Sequence, residues 1–266
     1  MAKVLTASKP TTVQQDAITV CRIGVPDLLD ALRQGWSDFA AIPTQLVFLS
    51  IVYPVVGLVA ARAAAGYDLI VPLLFPLVAG VSLLGPVLAV GIYELSRRRE
   101  RGLPVSWLNA FDVLRSPALP AIALVGLMLL AIFGAWLLVA KVLFDQTVGL
   151  AHPASTGEFV QEVLHSAAGW QMIVWGNLAG LAFAAAVLAL TVVSVPMLLD
   201  RTDASAALAV RTSFRAVRAN PGPMALWGVL VAAVLLLGCL PLFVGLAVAM
   251  PVLGHATWHL YRKLVA

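Results

Sequence analysis

Six long apolar stretches separated by short polar breaks govern what this 266-residue chain can fold into. They fall at about 43–64, 69–93, 118–140, 170–199, 222–239 and 241–261. Each is close to the roughly 20 residues that an α-helix needs to cross the hydrocarbon core of a bilayer. Barrel strands are about half that length, and lipid admits only helices or closed barrels because exposed backbone groups find no water there. The stretches therefore predict an all-α membrane protein with six transmembrane helices. Composition closes the soluble alternative: 61% of residues are hydrophobic and 11% charged, and the mean hydropathy is +0.97, more apolar surface than a soluble domain of this size can hide. The fifth and sixth stretches are joined only at Cys239-Leu240-Pro241, which reads as a tight reversal.

The last pair of stretches reads like a copy of the first. Pro86-Val87-Leu88, followed by Tyr93, Leu95, Arg97 and Arg98, returns as Pro251-Val252-Leu253, followed by Trp258, Leu260, Arg262 and Lys263. Gly80 and Gly245 stand at the same offset before these prolines, as do Pro76 and Pro241. Ser194-Val195-Pro196-Met197-Leu198-Leu199 at the end of the fourth stretch aligns with both.

Three polar-apolar segments precede the odd-numbered stretches. Val25, Leu28, Leu29, Leu32, Trp36 and Phe39 make one stripe of a helix at 27–41 that stops before Pro43. Val210, Phe214 and Val217, flanked by Arg211, Arg215 and Arg218, repeat this over 204–219 before Asn220-Pro221. Ser106 can cap a shorter version at 105–115 with Trp107, Phe111 and Leu114. The unit is thus an interfacial amphipathic helix plus a transmembrane hairpin, repeated at about 25–101, 104–201 and 203–266 within one membrane domain, 25–266. Each unit holds an even number of spans, so the three repeats are parallel, and parallel copies can surround an axis along the membrane normal. Residues 1–24 form a polar, flexible cytoplasmic tail with no apolar core of the signal-peptide type, so no cleaved secretory signal is expected.

With six spans both termini lie on one side, and 15 of the 17 Lys and Arg fall there, leaving only Arg62 and Lys141 opposite. The positive-inside rule then places both termini in the cytoplasm. This bias explains the net charge of +4 without a nucleic-acid partner. Cys21 and Cys239 fall on opposite faces, about 30 Å of hydrocarbon apart, too far for a disulfide.

Few residues offer chemistry. His255 and His259, four apart, share a helix face near the inner end of the sixth span. The repeat alignment sets His255 opposite Asp200 and His259 opposite Glu94, which predicts a polar collar of Glu94, Asp200, His255 and His259 where spans two, four and six end. Ionisable groups at membrane depth mark proton or ion routes, but groups this near the interface can also pair with Arg97, Arg201 or Arg262. Gly176 and Gly180 form a close-packing face, with Asn177 placed to hydrogen-bond across it. The outer segment 141–168 carries His152, Glu158, Glu162 and His165 at spacings that match no metal-ligand pattern, and reads as a solvated loop. No phosphate loop, nucleophile elbow or paired-cysteine motif is present, so no cofactor, metal or enzymatic activity is expected.

Leu84-Gly85-Pro86-Val87-Leu88, Gly91-Ile92-Tyr93-Glu94-Leu95-Ser96-Arg97-Arg98, the segment from Ser194 to Arg201, Arg218-Ala219-Asn220-Pro221-Gly222-Pro223-Met224 and the segment from Pro251 to Arg262 resemble a bacterial family of integral membrane proteins, domain of unknown function 2189. The resemblance covers about 25–264 and implies a multi-pass bacterial inner-membrane protein of unestablished activity. Some relatives are labelled as cytochrome c oxidase components, which implies respiratory proteins as partners beside the lipid bilayer. This chain lacks the several intramembrane histidines that a haem–copper subunit requires. Two classes of function follow: a non-catalytic subunit, assembly factor or scaffold, and a transporter or channel for a small solute, lipid or proton.

Overall fold

The computed structural model describes residues 18–42, 85–151, 156–241 and 244–266. The first predicted span and most of the second lie outside the described residues, as does His152. Among the described residues the chain is helical, and β-pairing is confined to one isolated bridge between Val20 and Val265.

The helices are α1 (Val25–Ala41), α2 (Gly85–Leu88), α3 (Val90–Glu100), α4 (Leu119–Gln146), α5 (Thr156–His165), α6 (Ala167–Thr191), α7 (Ser194–Asp200), α8 (Ala206–Ala219), α9 (Pro221–Cys239) and α10 (Leu246–Leu264). A 3-10 segment, Trp107–Arg115, links α3 to α4. Among the described residues, three stretches are long and apolar enough to cross a membrane: Leu119–Gln146, Ala167–Asp200 and Pro221–Cys239. They correspond to spans three, four and five. The sixth predicted span is α10, whose polar C-terminal half makes it a different kind of helix, with Trp258, Leu260, Tyr261 and Leu264 in the protein core.

Span four is not one straight rod. Its helix breaks at Val192 and Val193, between α6 and α7. Pro196 has no N–H to continue the ladder across that point. The N–H of Val193 instead donates to Ser213 Oγ of α8 at 3.2 Å, so a neighbouring helix takes up a donor that the break leaves free.

All three predicted amphipathic segments form separate helical elements. α8 is divided from α9 at Asn220, where φ is −133° and ψ 52°. The 3-10 segment ends at Ser116, in extended backbone. α1 presents three faces: Leu28, Ala31 and Gly35 are buried against α10, Val25, Leu29 and Trp36 are exposed and apolar, and Asp27, Asp30, Gln34 and Asp38 form a polar stripe. The α1–α10 contact is close enough that a Cβ on Gly35 would meet Ala256 N at 2.6 Å.

The core lies at one end of the molecule. Leu28, Tyr93, Met197, Leu198, Trp227, Trp258 and Leu264 belong to one buried cluster drawn from α1, α3, α7, α9 and α10. The predicted tail closes this end: Cys21 N–H donates to Leu264 O at 2.9 Å and Ala266 N–H to Thr19 O at 3.1 Å. Asn220 clips the tail a second time, accepting from Ile23 N–H at 2.8 Å and donating to Cys21 O at 3.0 Å. Residues 19–23 thus lie beside the C-terminal residues of α10. Both cysteines are free.

Candidate functional site: a polar cluster around Asp38

The helix ends carrying most of the charge meet here, and Asp38 of α1 is the hub. Its side chain is buried, with 7% of its surface exposed. Oδ1 accepts from Arg99 Nη1 at 2.7 Å. Oδ2 accepts from Ser96 Oγ at 2.6 Å and from His259 Nε2 at 2.8 Å. Ser96 Oγ also lies 2.7 Å from His255 Nδ1. Burial opposes ionisation of Asp38, but the hydrogen bonds from His259 and Ser96 outweigh it and hold the carboxyl below its ordinary pKa.

Hydrogen positions follow from donor supply. An ionised carboxylate can only accept, so the Ser96 hydroxyl proton points to Asp38. Ser96 Oγ then has only lone pairs left for His255, whose Nδ1 must carry the ring proton. His255 Nε2 is left as a bare acceptor. The ring is fully buried, and Nε2 has no hydrogen-bond partner among the described residues. Although Ser, His and Asp come together, their order differs from that of a hydrolase. Serine stands between the other two and donates to the acid, and its hydroxyl is inaccessible at 0% exposure.

A cleft of about 340 Å³ opens beside the hub, walled by Gln34 and Asp38 of α1, Arg99 and Glu100 of α3, and His259, Arg262 and Lys263 of α10. Its cations are engaged. Arg262 pairs with Glu100 at 3.0 Å and Asp200 at 3.1 Å, and Lys263 with Asp30 at 2.7 Å. The Lys263 hydrogen bond keeps the Asp30 carboxyl below its ordinary pKa.

The four collar residues divide between three groups at this end. His255 and His259 join Asp38. Asp200 is held by Arg262, Arg101 and the Tyr261 hydroxyl. Glu94, 3% exposed, pairs with Arg97 at 2.6 Å and Arg98 at 3.2 Å. Arg97 bridges onward to Leu199 O at 3.3 Å, tying α3 to α7. Indole Nε1 of Trp258 donates to Glu100 at 3.0 Å, completing the link between α3 and α10. Asp38, Ser96 and Arg99 are the members that sequence reading missed. Their one local signal was the stripe Asp27, Asp30, Gln34, Asp38, which ends where a basic helix end could meet it.

Of the packing residues, a Cβ on Gly180 would lie 3.5 Å from Cη2 of Trp136, while a Cβ on Gly176 would have nothing within 4 Å. The Asn177 amide turns back to Ile173 O of its own helix at 2.7 Å. At the far end, a cleft of about 670 Å³ is lined by Glu162, His165 and Ser166 among others. No group of three or more metal-ligating side chains occurs among the described residues.

Long apolar helices beside a buried, ion-paired polar cluster define a helical integral membrane protein. A family model described as a predicted integral membrane protein (DUF2189) matches residues 74–200, and the resemblance read from the motifs is thereby shown over that segment. The match includes Glu94, Ser96, Arg99 and Asp200, while Asp38, His255 and His259 lie beyond it. No curated protein and no solved structure matches the chain.

Proposed function

We propose that the protein is a non-catalytic subunit, assembly factor or scaffold of the bacterial inner membrane, with both termini cytoplasmic. The observation that carries this reading is the contrast between a buried polar cluster whose charges pair with one another and apolar helices left largely uncovered. Only 22% of the most apolar stretch of Leu119–Gln146 and 17% of that of Pro221–Cys239 is buried. The open Cβ position at Gly176 adds a small-residue face on which a partner helix can pack closely. Six spans in three parallel hairpin units suit such a role, and the separate amphipathic elements at α1, 107–115 and α8 support that arrangement. Respiratory membrane proteins are the partners that the family resemblance suggests.

The test is purification in mild detergent after in-cell photocross-linking from positions 236 and 237, where Leu236 and Leu237 are 66% and 63% exposed. A stoichiometric membrane-protein adduct is the expected product. A lone chain that retains a small solute would overturn the reading in favour of the second one, a transporter or channel for a small solute, lipid or proton. That second reading draws its support from the buried, unsatisfied ring of His255.

A further inference from the structure

His255 combines three properties that a packing residue does not need. Its ring is at 0% exposure, Nε2 has no hydrogen-bond partner among the described residues, and Nδ1 starts a chain of short hydrogen bonds that reaches an open cleft. Burying an acceptor without a donor is costly, and an aliphatic side chain would avoid that cost. Asp38 and His259 both line the cleft of about 340 Å³, so the outer end of the chain meets water.

We propose that His255, Ser96 and Asp38 form a proton route joining the buried Nε2 to this cleft, and that Nε2 exchanges protons with water or a hydroxyl group admitted to the interior of the bundle. The proposal goes beyond the scaffold reading and does not rest on it. A donor gives its proton to Nε2, keeps the bonding electron pair, and leaves the ring an imidazolium. The Nδ1–H bond breaks as that proton bonds Ser96 Oγ. The Ser96 O–H bond breaks as its proton bonds Asp38 Oδ2, and Asp38 passes this proton to cleft water and becomes a carboxylate again. One proton enters, one leaves, and no electrons are transferred. Arg99 at 2.7 Å and His259 at 2.8 Å favour the carboxylate, so the proton does not remain on Asp38. His255 ends with its proton on Nε2 and the Ser96 hydroxyl turned toward Nδ1. The reverse passage restores the starting state, so the route exchanges protons between its ends.

Nitrogen-15 magnetic resonance of the full chain, histidine-labelled and reconstituted in phospholipid bilayers, tests the route. At neutral pH His255 is expected to show a protonated Nδ1 and a bare Nε2. Its ring proton should exchange with deuterated water, because the chain supplies a path that burial alone would deny. Ser96→Ala should slow that exchange about tenfold or more while leaving the cleft-lining His259 unchanged, and Ser96→Thr, which keeps a hydroxyl, should restore it. Absence of deuterium exchange at His255 in the wild type would overturn the proposal, and so would equal exchange at His255 in the wild type and Ser96→Ala. The wild-type exchange measurement needs no variant, so it decides even if Ser96→Ala fails to fold.

Discussion

The polar end and the apolar helices of this protein solve opposite problems. At the polar end α1, α3, α7, α8 and α10 bury charge and backbone together, with Asp38, Glu94, Ser96, Ser213, Asn220 and His255 all below 6% exposure. In α4, α6 and α9 large side chains such as Leu138, Leu181 and Val229 are 64–68% exposed. Surrounded by lipid, those side chains cost nothing, and lipid gives the helices no hydrophobic reason to pack on one another. What holds the described helices in one arrangement is therefore concentrated where hydrogen bonds and ion pairs can form. Mutations at the two ends should differ accordingly.

The largest effect is expected at the hub. Asp38→Ala leaves the Ser96 hydroxyl, His259 Nε2 and Arg99 without their shared acceptor. Arg99, 37% exposed, can turn to water, but Ser96 cannot. A loss of about 2–4 kcal/mol in detergent unfolding titrations is expected. A loss no larger than that of a surface substitution would mean that the polar end is not the fastening point.

Next comes the α1–α10 seam. Gly35→Ala sets a methyl group against Ala256 backbone atoms at 2.6–2.8 Å, and no flexible side chain is there to yield. A cost of about 2 kcal/mol is expected, with α1 becoming open to limited proteolysis while α9 stays protected. Simultaneous cleavage in both would show that the two regions unfold as one.

Sequence reading succeeded where the signal is local and failed where it is distant. Apolar length and composition are properties of single segments, so the apolar spans Leu119–Gln146, Ala167–Asp200 and Pro221–Cys239 were legible, as were the amphipathic elements at 25–41, 107–115 and 206–219. The break before α7 was not, since Pro196 marks a disturbance without saying how neighbours resolve it. At the site, the histidines and Asp200 stood out as rare charges near apolar runs. Asp38 did not, because its partners lie 58, 61 and 221 positions away. Asn220-Pro221 stood out only as the boundary before the fifth stretch, and the clip of Asn220 on Cys21 and Ile23 spans nearly 200 residues and leaves no periodic trace.

Acid should distinguish the ends by a smaller margin. Asp38 titrates below its unfolded value of 3.8. Its ionised form therefore favours the folded state above that value, and the benefit is lost as pH falls through the lower, folded pKa. The thermal midpoint of the wild type should drop on acidification below about pH 4. Asp38→Asn, already lacking that ionisation, should show a shallower fall. An equal slope in both would assign the acid sensitivity to groups other than Asp38 and weaken the case for Asp38 as the hub.

The smallest effect is expected on α6, and it is the most informative about the exposed helices. A Cβ at Gly176 meets nothing within 4 Å, whereas the one at Gly180 lies 3.5 Å from Trp136. Gly176→Ala adds a methyl group to open surface and removes a flexible residue from a helix interior, so the isolated chain should keep its stability within about 1 kcal/mol. The same substitution in native membranes reads a different quantity. If a partner helix rests on that face, a methyl group holds the two backbones apart, and the cross-linked adduct from positions 236 and 237 should weaken or shift in size. If lipid covers it, neither readout should move. A stability loss in the isolated chain above about 1 kcal/mol would place a neighbour from within the same chain against Gly176, and the apolar helices would then be more tightly packed than their exposure indicates.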